Sequence, residues 1–169
     1  MEHSNYSIST EQARFDVGAI HAYLTRSYWA ADIPMDVVAR AIENSLCFGV
    51  FHGAEQVGFA RVITDKATFA YLADVYILEA HRGNGLAKQL LRVIQRHPAL
   101  QGLRRFLLAT KDAHGLYRQF GFSAPAKVEF LMEIADPDVY RRKVAVRNVQ
   151  VDAAAAADNQ AAPGSDSTQ

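Results

Sequence analysis

Cysteine is nearly missing from this sequence: Cys47 is the only one among 169 residues. That excludes an intramolecular disulfide and a cysteine-based zinc site. Its setting, Leu46-Cys47-Phe48, reads as apolar strand, so the thiol is expected in the core and not as a nucleophile. Net charge is missing as well, with 18 Lys and Arg against 18 Asp and Glu. A neutral chain does not offer a surface that grips nucleic acid all over. No run approaches the roughly 18 uninterrupted apolar residues of a membrane span. The first ten residues, MEHSNYSIST, lack the basic and then apolar order of a secretory signal. None of the six histidines stands in an H-E-x-x-H or similar spacing, so no metal is expected. These absences leave a cytoplasmic protein without nucleic-acid, membrane or metal partners as the expectation.

Half of the residues are apolar, enough for a sizeable core in one domain of ordinary size. The charge is far from evenly spread. Residues 1–81 hold 5 basic and 10 acidic side chains, a net of −5. Residues 82–118 hold 8 basic and 1 acidic, a net of +7. A concentrated positive stretch suits an anion, and the acidic first half suits a cationic partner. The last 20 residues, QVDAAAAADNQAAPGSDSTQ, are too poor in large apolar groups to offset the entropy of ordering them. Residues 150–169 are therefore expected to be a disordered tail, and residues 1–149 the domain, with a core over about 6–134.

The body alternates strand and helix patterns. Tyr6 to Ile8 is a short strand candidate, and Ile20, Tyr23, Leu24 and Tyr28 fall at helical spacing within 17–29. A second helix is expected after Ile33, with Pro34 in its first turn and Val37, Val38, Ala41 and Ile42 as its apolar face. Residues 46–51 and 56–63 read as a hairpin turning near His52-Gly53. A longer strand over 68–78 follows. Then come a helix over 86–95 (Leu86, Leu90, Leu91 and Ile94 on one side), a strand over 104–110, a short helix over 113–120 and a final strand over 127–134. This order makes a mixed α/β or α+β sheet and not a pure dinucleotide-binding repeat.

The most informative stretch runs from the long strand into a helix, Val75-Tyr76-Ile77-Leu78-Glu79-Ala80-His81-Arg82-Gly83-Asn84-Gly85-Leu86-Ala87. Gly83 and Gly85 permit positive φ and close approach of a ligand to the backbone. The helix behind them offers unpaired amides and the positive end of its dipole, a seat for phosphate that Arg82 can reinforce. A Walker loop is excluded because Gly-Lys-Ser/Thr is missing, and Lys88 stands where a dinucleotide fingerprint needs a small residue. A second constellation follows after one strand: Asp112-Ala113-His114-Gly115-Leu116-Tyr117-Arg118-Gln119-Phe120-Gly121-Phe122.

Together the two resemble the signatures of the GCN5-related N-acetyltransferases, the GNAT superfamily, in a small single-domain bacterial form. Arg82, Gly85 and Ala87 match Arg/Gln-x-x-Gly-x-Gly/Ala, with Ala87 in place of the commoner glycine. Tyr117, Gly121 and Phe122 match a Tyr-x-x-x-Gly-Phe helix end in the expected order. The resemblance implies a mostly antiparallel sheet with splayed fourth and fifth strands, helices on both faces, and acetyl-CoA as co-substrate between those strands. It implies that the backbone around Tyr76, Ile77 and Leu78 holds the pantetheine arm. Arg82, Gly83, Asn84, Gly85, Leu86 and Ala87 would hold the pyrophosphate, with Lys88, Arg92 or Lys111 near the remaining phosphate.

In this family a neutral amine attacks the thioester, and Tyr117 stands where members often place the acid for the departing thiolate. Backbone N–H groups near Tyr76 and Ile77 could polarise the carbonyl. Asp74, a carboxylate inside an apolar strand, is either the base or a satisfied structural acid. Strand alternation puts Leu72, Asp74, Tyr76 and Leu78 on one face. Asp112 stands where relatives often carry asparagine, either touching the CoA arm or capping the short helix. Tyr23, Tyr28, Trp29, Asp32 and Asp36 lie where relatives shape the acceptor site, with Tyr28 and Trp29 expected to touch a small amine. A protein N-terminus or lysine acceptor, or a catalytically silent acyl-CoA-binding domain, stays open beside it. A homodimer is compatible with the resemblance, although the sequence itself does not give the assembly.

Overall fold

In the computed structural model of the chain, which describes residues 5–142, five strands form one sheet in the order β1-β2-β3-β4-β5. They are β1 (Tyr6–Ser9), β2 (Leu46–His52), β3 (Glu55–Thr64), β4 (Phe69–Ile77) and β5 (Arg105–Leu108). The first four pair antiparallel, and β4 pairs β5 in parallel. Four helices surround the sheet: α1 (Val17–Leu24), α2 (Met35–Glu43), α3 (Leu86–Arg96) and α4 (His114–Arg118). The expected tail lies outside the described residues.

Each face of the sheet has its own core. On one face α3 buries Leu86, Leu90, Leu91 and Ile94 against Phe48, Val50, Val62, Ala70 and Leu72. These helical residues recur every three to four positions, so a single stripe can leave water together. On the other face Ile20 and Leu24 of α1 and Val38 and Ile42 of α2 pack on Cys47, Phe59 and Tyr76. Asp16 starts α1 by accepting from the Ala19 amide at 2.8 Å; Pro34 stands one residue before α2, at its N-cap position and not in its first turn, without a capping hydrogen bond. The β2–β3 turn falls at Gly53, with φ of 61°. Cys47 is buried, as its apolar setting implied.

Three expectations need correction. Residues 127–134 do not join the sheet: Val128–Phe130 is a single 3-10 turn, and the flanking residues are exposed. The apolar pattern there is strand-like, but no neighbouring strand meets it among the described residues. Next, the regular alternation expected through β4 is broken. The register runs from Phe59↔Tyr76 to Arg61↔Ala73, so β4 holds one residue more than β3 between those pairs. Asp74 takes up the extra length with φ of 55°. Leu72 therefore packs with the α3 face while Tyr76 packs with α1 and α2. Finally, Asp112 does not cap α4. The cap position is Ala113, whose amide donates to Thr110 Oγ1 at 3.0 Å.

Candidate active site

The strands β4 and β5 stay paired from Phe69↔Arg105 to Leu72↔Leu108 and no further. Just beyond, the Asp74 bulge turns β4 away, and the gap between the strands opens into two adjoining cavities of about 570 and 560 Å³. Six residues line both: Tyr28, Trp29, Val75, Asp112, Ala113 and Tyr117.

The 560 Å³ cavity is floored by the glycine turn, with Arg82, Gly83, Gly85, Leu86, Ala87 and Lys88 in its wall. Gly83 and Gly85 have φ of 84° and 72°, the left-handed region that favours glycine. A Cβ at either would meet nothing within 4 Å, so the turn presents its backbone to open space. Behind it the first amides of α3 have no intrahelical acceptor, and Leu86, Ala87 and Lys88 stand in the cavity wall. Asn84 ties the turn together from within, its Nδ2 donating to His81 O at 3.0 Å. Arg82 does not point away as a free cation. Its Nε donates to Ile77 O at 3.0 Å, and its Nη2 reaches Tyr23 Oη and Glu79 Oε1.

Of the backbone groups expected along β4, Tyr76 and Ile77 line this cavity and Leu78 does not. The Leu78 amide donates inward to Val57 O at 2.8 Å. Ile77, one residue back, turns its peptide toward the opened side, where Arg82 holds its carbonyl. The Tyr76 ring is spent in packing: it stacks on Tyr23 at 3.8 Å, and burial pushes its phenol well above the ordinary range.

The 570 Å³ cavity lies on the α1–α2 side, lined by Ile33, Val37, Val38, Phe59, Arg61, Asp74, Lys111 and Tyr140 among others. Asp74 is 10% exposed and Arg61 16%, and Arg61 Nε meets Asp74 Oδ2 at 2.6 Å. Trp29 Nε1 donates to the other carboxylate oxygen at 3.2 Å, and Arg61 also donates to Ser45 Oγ at 3.2 Å. Asp74 is thus held by two donors, Arg61 from β3 and Trp29 from the loop after α1, in the lining of the cavity. Tyr28 crosses the mouth: its hydroxyl accepts from the Lys111 amide at 3.2 Å, and Lys111 Nζ lies 5.7 Å from its ring centre. Asp32 and Asp36 take no part in the lining; they pair on the surface with Arg141 and Arg40. Arg92 lies in neither wall.

Tyr117 sits on the partition. Burial, followed by the proximity of Tyr28 and Asp112, pushes its phenol up to about 12. Its ring packs edge-on to Phe122 at 5.9 Å. Every buried side-chain polar atom among the described residues has a partner, and the Tyr117 hydroxyl makes no hydrogen bond there, so it opens into the cleft. A splayed parallel pair, an open glycine turn and a protonated phenol between two cavities are suited to moving a group from one bound molecule to another.

Residues 10–122 match the model of the acetyltransferase (GNAT) family. The chain belongs to the GNAT acetyltransferase family. A Gibberella zeae protein named as a candidate acetyltransferase is 38% identical over 136 residues, covering 67% of this chain and 76% of that one. A solved structure from Xanthomonas campestris pv. campestris, described as a candidate GNAT acetyltransferase, shares 51% identity at a TM-score of 0.80. It covers 81% of this chain and 97% of its own. A candidate acetyltransferase structure from Deinococcus radiodurans shares the fold alone, at 14% identity and a TM-score of 0.63, covering 80% of this chain and 91% of its own. GNAT enzymes bind acetyl-CoA as co-substrate together with an acceptor, and the fold and enzyme class expected from the two motifs are those of this GNAT chain.

Among the cleft residues not marked in the sequence as acceptor-site groups are Arg61, Lys111 (expected only as a phosphate contact) and Tyr140. Arg61 carried a usable signal, since a charged residue inside an apolar strand needs a partner or a role, as Asp74 does. Tyr140 carried none, because only the returning chain brings it to the α1–α2 face. Among the described residues no group of three or more His, Cys, Asp or Glu is placed to hold a metal ion. No helix there is long and apolar enough to cross a membrane.

Proposed function

We propose that this GNAT enzyme moves the acetyl group of acetyl-CoA to the primary amine of a small molecule by direct attack, with Tyr117 protonating the departing thiolate. The observation that carries this reading is the position of Tyr117 on the partition between the glycine-turn cavity and the Asp74 cavity. In this reading Gly83, Asn84, Gly85, Leu86, Ala87 and Lys88 seat the pyrophosphate, through helix-end amides and one lysine. Arg82 supports the seat by gripping the turn and releases Ile77 O when a pantetheine amide competes for it. Asp112, in both walls, faces the bound arm.

The acceptor side has the volume of a small-molecule site, which spans about 300–1,000 Å³. Tyr28 and Trp29 offer ring faces to an ammonium group, and Asp74 and Asp112 offer carboxylates. Asp74 serves as the base or as the anchor that receives the ammonium before a water removes its proton. Its ties to Arg61 and Trp29 fix its direction, which is what either role requires.

The test is a panel of small amines, amino-acid-like compounds, a lysine-containing peptide and a protein N-terminal peptide, each with acetyl-CoA, read by thiol release. Turnover on small amines is expected. Turnover confined to peptides, proteins or tRNA would remove the small-molecule reading. Binding of acetyl-CoA without thiol release on any acceptor would replace it with the silent domain.

A further inference from the structure

The 570 Å³ cavity takes an aliphatic lining from one element and charge from another. Helix α2 gives it Val37, Val38, Ala41 and Ile42, with Ile33 just before them. No polar side chain of α2 joins this lining; Asp36 and Arg40 pair with each other on the outer surface. Val37 and Ala41 are only half-buried, so apolar surface remains there for a bound aliphatic group to cover.

Four charged residues line the same cavity: Arg61, Asp74, Lys111 and Asp112. Arg61 and Asp74 satisfy each other at 2.6 Å, so their charges cancel locally. Lys111 and Asp112 are left over. Both are exposed, and among the described residues neither side chain is in an ion pair. Lys111 lines this cavity and not the one over the glycine turn, so it stands away from the expected phosphate seat. Its place is fixed by Tyr28: the Lys111 amide donates to the Tyr28 hydroxyl at 3.2 Å, and Lys111 Nζ lies 5.7 Å from the ring centre. Tyr28 and Asp112 in turn stand close enough to Tyr117 to raise its phenol. An unpaired cation and an unpaired carboxylate beside the proposed acid match the two charges of a zwitterion.

We propose that the acceptor is a free amino acid with an apolar side chain, its carboxylate held by Lys111 and its side chain laid on the aliphatic lining of α2. This rests on the small-amine transfer proposed above and names the class of amine. The ammonium group then lies by Asp112 and Tyr117. Its nitrogen, once neutral, forms the C–N bond as the thioester C–S bond breaks. Of the two protons that the ammonium gives up, one goes to solvent and one reaches sulfur by way of Tyr117, leaving an N-acetyl amino acid and the CoA thiol. The carboxylate keeps its charge throughout, so Lys111 sets the affinity for the acceptor and not the rate of the chemical step.

The test is a leucine series on the full chain with acetyl-CoA, read by thiol release. The KM for L-leucine is expected about tenfold below that for isoamylamine, which lacks the carboxylate, and about tenfold below that for L-serine, which lacks the aliphatic group. Lys111→Met should raise the leucine KM about tenfold and leave the acetyl-CoA KM within about threefold, and Lys111→Arg should restore the leucine value. Calorimetric titration of leucine into the CoA-saturated protein reads the same contact without turnover and should weaken alike in Lys111→Met. Equal KM values for leucine and isoamylamine, or a Lys111→Met protein with unchanged leucine KM and affinity, would overturn the proposal, while turnover of isoamylamine would keep the small-amine reading standing. A rise in the acetyl-CoA KM alone would also overturn it, by returning Lys111 to the phosphates. Leucine bound through Lys111 without thiol release from any small amine would uphold the site and overturn the transfer.

Discussion

Replacing Tyr117 by phenylalanine removes one oxygen atom and nothing else of substance. The ring stays on Phe122, and the hydroxyl gives up no hydrogen bond among the described residues, so stability should change by less than about 1 kcal/mol. The kinetic effect can be bounded from the phenol itself. Held up to about 12, it is protonated at any ordinary assay pH. A positioned acid contributes roughly 10²–10⁴-fold. Transfer from so weak an acid to a thiolate, whose conjugate acid titrates near 8.5, runs uphill by several pH units. The hydroxyl therefore stabilises the developing thiolate chiefly through its hydrogen bond and passes the proton late in the step. The loss should fall at the low end, about 10²-fold in kcat, or about 2.7 kcal/mol. The KM for acetyl-CoA should stay within about threefold, because the contact strengthens only as charge develops. Release of CoA thiol, followed with a chromogenic disulfide and the best amine from the panel, measures this directly. Cys47 is buried and pushed up to about 12, so the native protein adds no reactive thiol of its own. A Tyr117→Phe enzyme within about threefold of the parent kcat would refute the acid role.

Other outcomes follow from the same contacts. Arg61→Ala leaves Asp74 charged and nearly enclosed, which should cost about 3–5 kcal/mol in denaturant unfolding, and a loss below 1 kcal/mol would show the pair to be well solvated. Gly85→Ala forces a left-handed φ on alanine, at about 1–2 kcal/mol, and sets a methyl group in the proposed phosphate seat. The KM for acetyl-CoA should rise about tenfold with the acceptor KM unchanged, and an equal rise in both would place the seat elsewhere. Alkaline titration should destabilise the fold. Cys47, Tyr76 and Tyr117 ionise later folded than unfolded, so the stability they carry is whole below about pH 9 and is lost as pH rises toward 12. Melting temperatures that stay level from pH 8 to beyond pH 11 would contradict this.

The parts legible in the sequence are those decided by neighbours along the chain. Leu86, Leu90, Leu91 and Ile94 share a helical stripe whatever the rest of the fold does, and all four are buried. Gly83 and Gly85 sit between a strand and a helix, and local backbone freedom fixes what such a turn can present. Tyr117, Gly121 and Phe122 carried the second motif at fixed spacing, and the hairpin at Gly53 follows from the same short-range logic.

What stayed hidden depends on residues far apart. The face that Asp74 adopts is set by a bulge opposite Phe59 and Arg61 on another strand, which no alternation rule within β4 can foresee. The Asp112 cap gave way because α4 starts one residue later, after Ala113, whose amide is taken by Thr110 Oγ1. Residues 127–134 read as a strand because their pattern is one, but a strand also needs an edge to bind, and pattern does not supply it. The sequence alone thus determined most of the elements and the charge asymmetry, which rest on local periodicity and composition, while the family was legible in the resemblance of two short motifs at fixed spacing. The single near-absence of cysteine was equally decisive, leaving Cys47 to the core. Only the tertiary structure decided that Tyr117, Asp112, Tyr28 and Trp29 share one partition, and that Arg61 holds Asp74. Those contacts span up to 89 positions of chain, from Tyr28 to Tyr117, and come from packing two helices and a splayed sheet together.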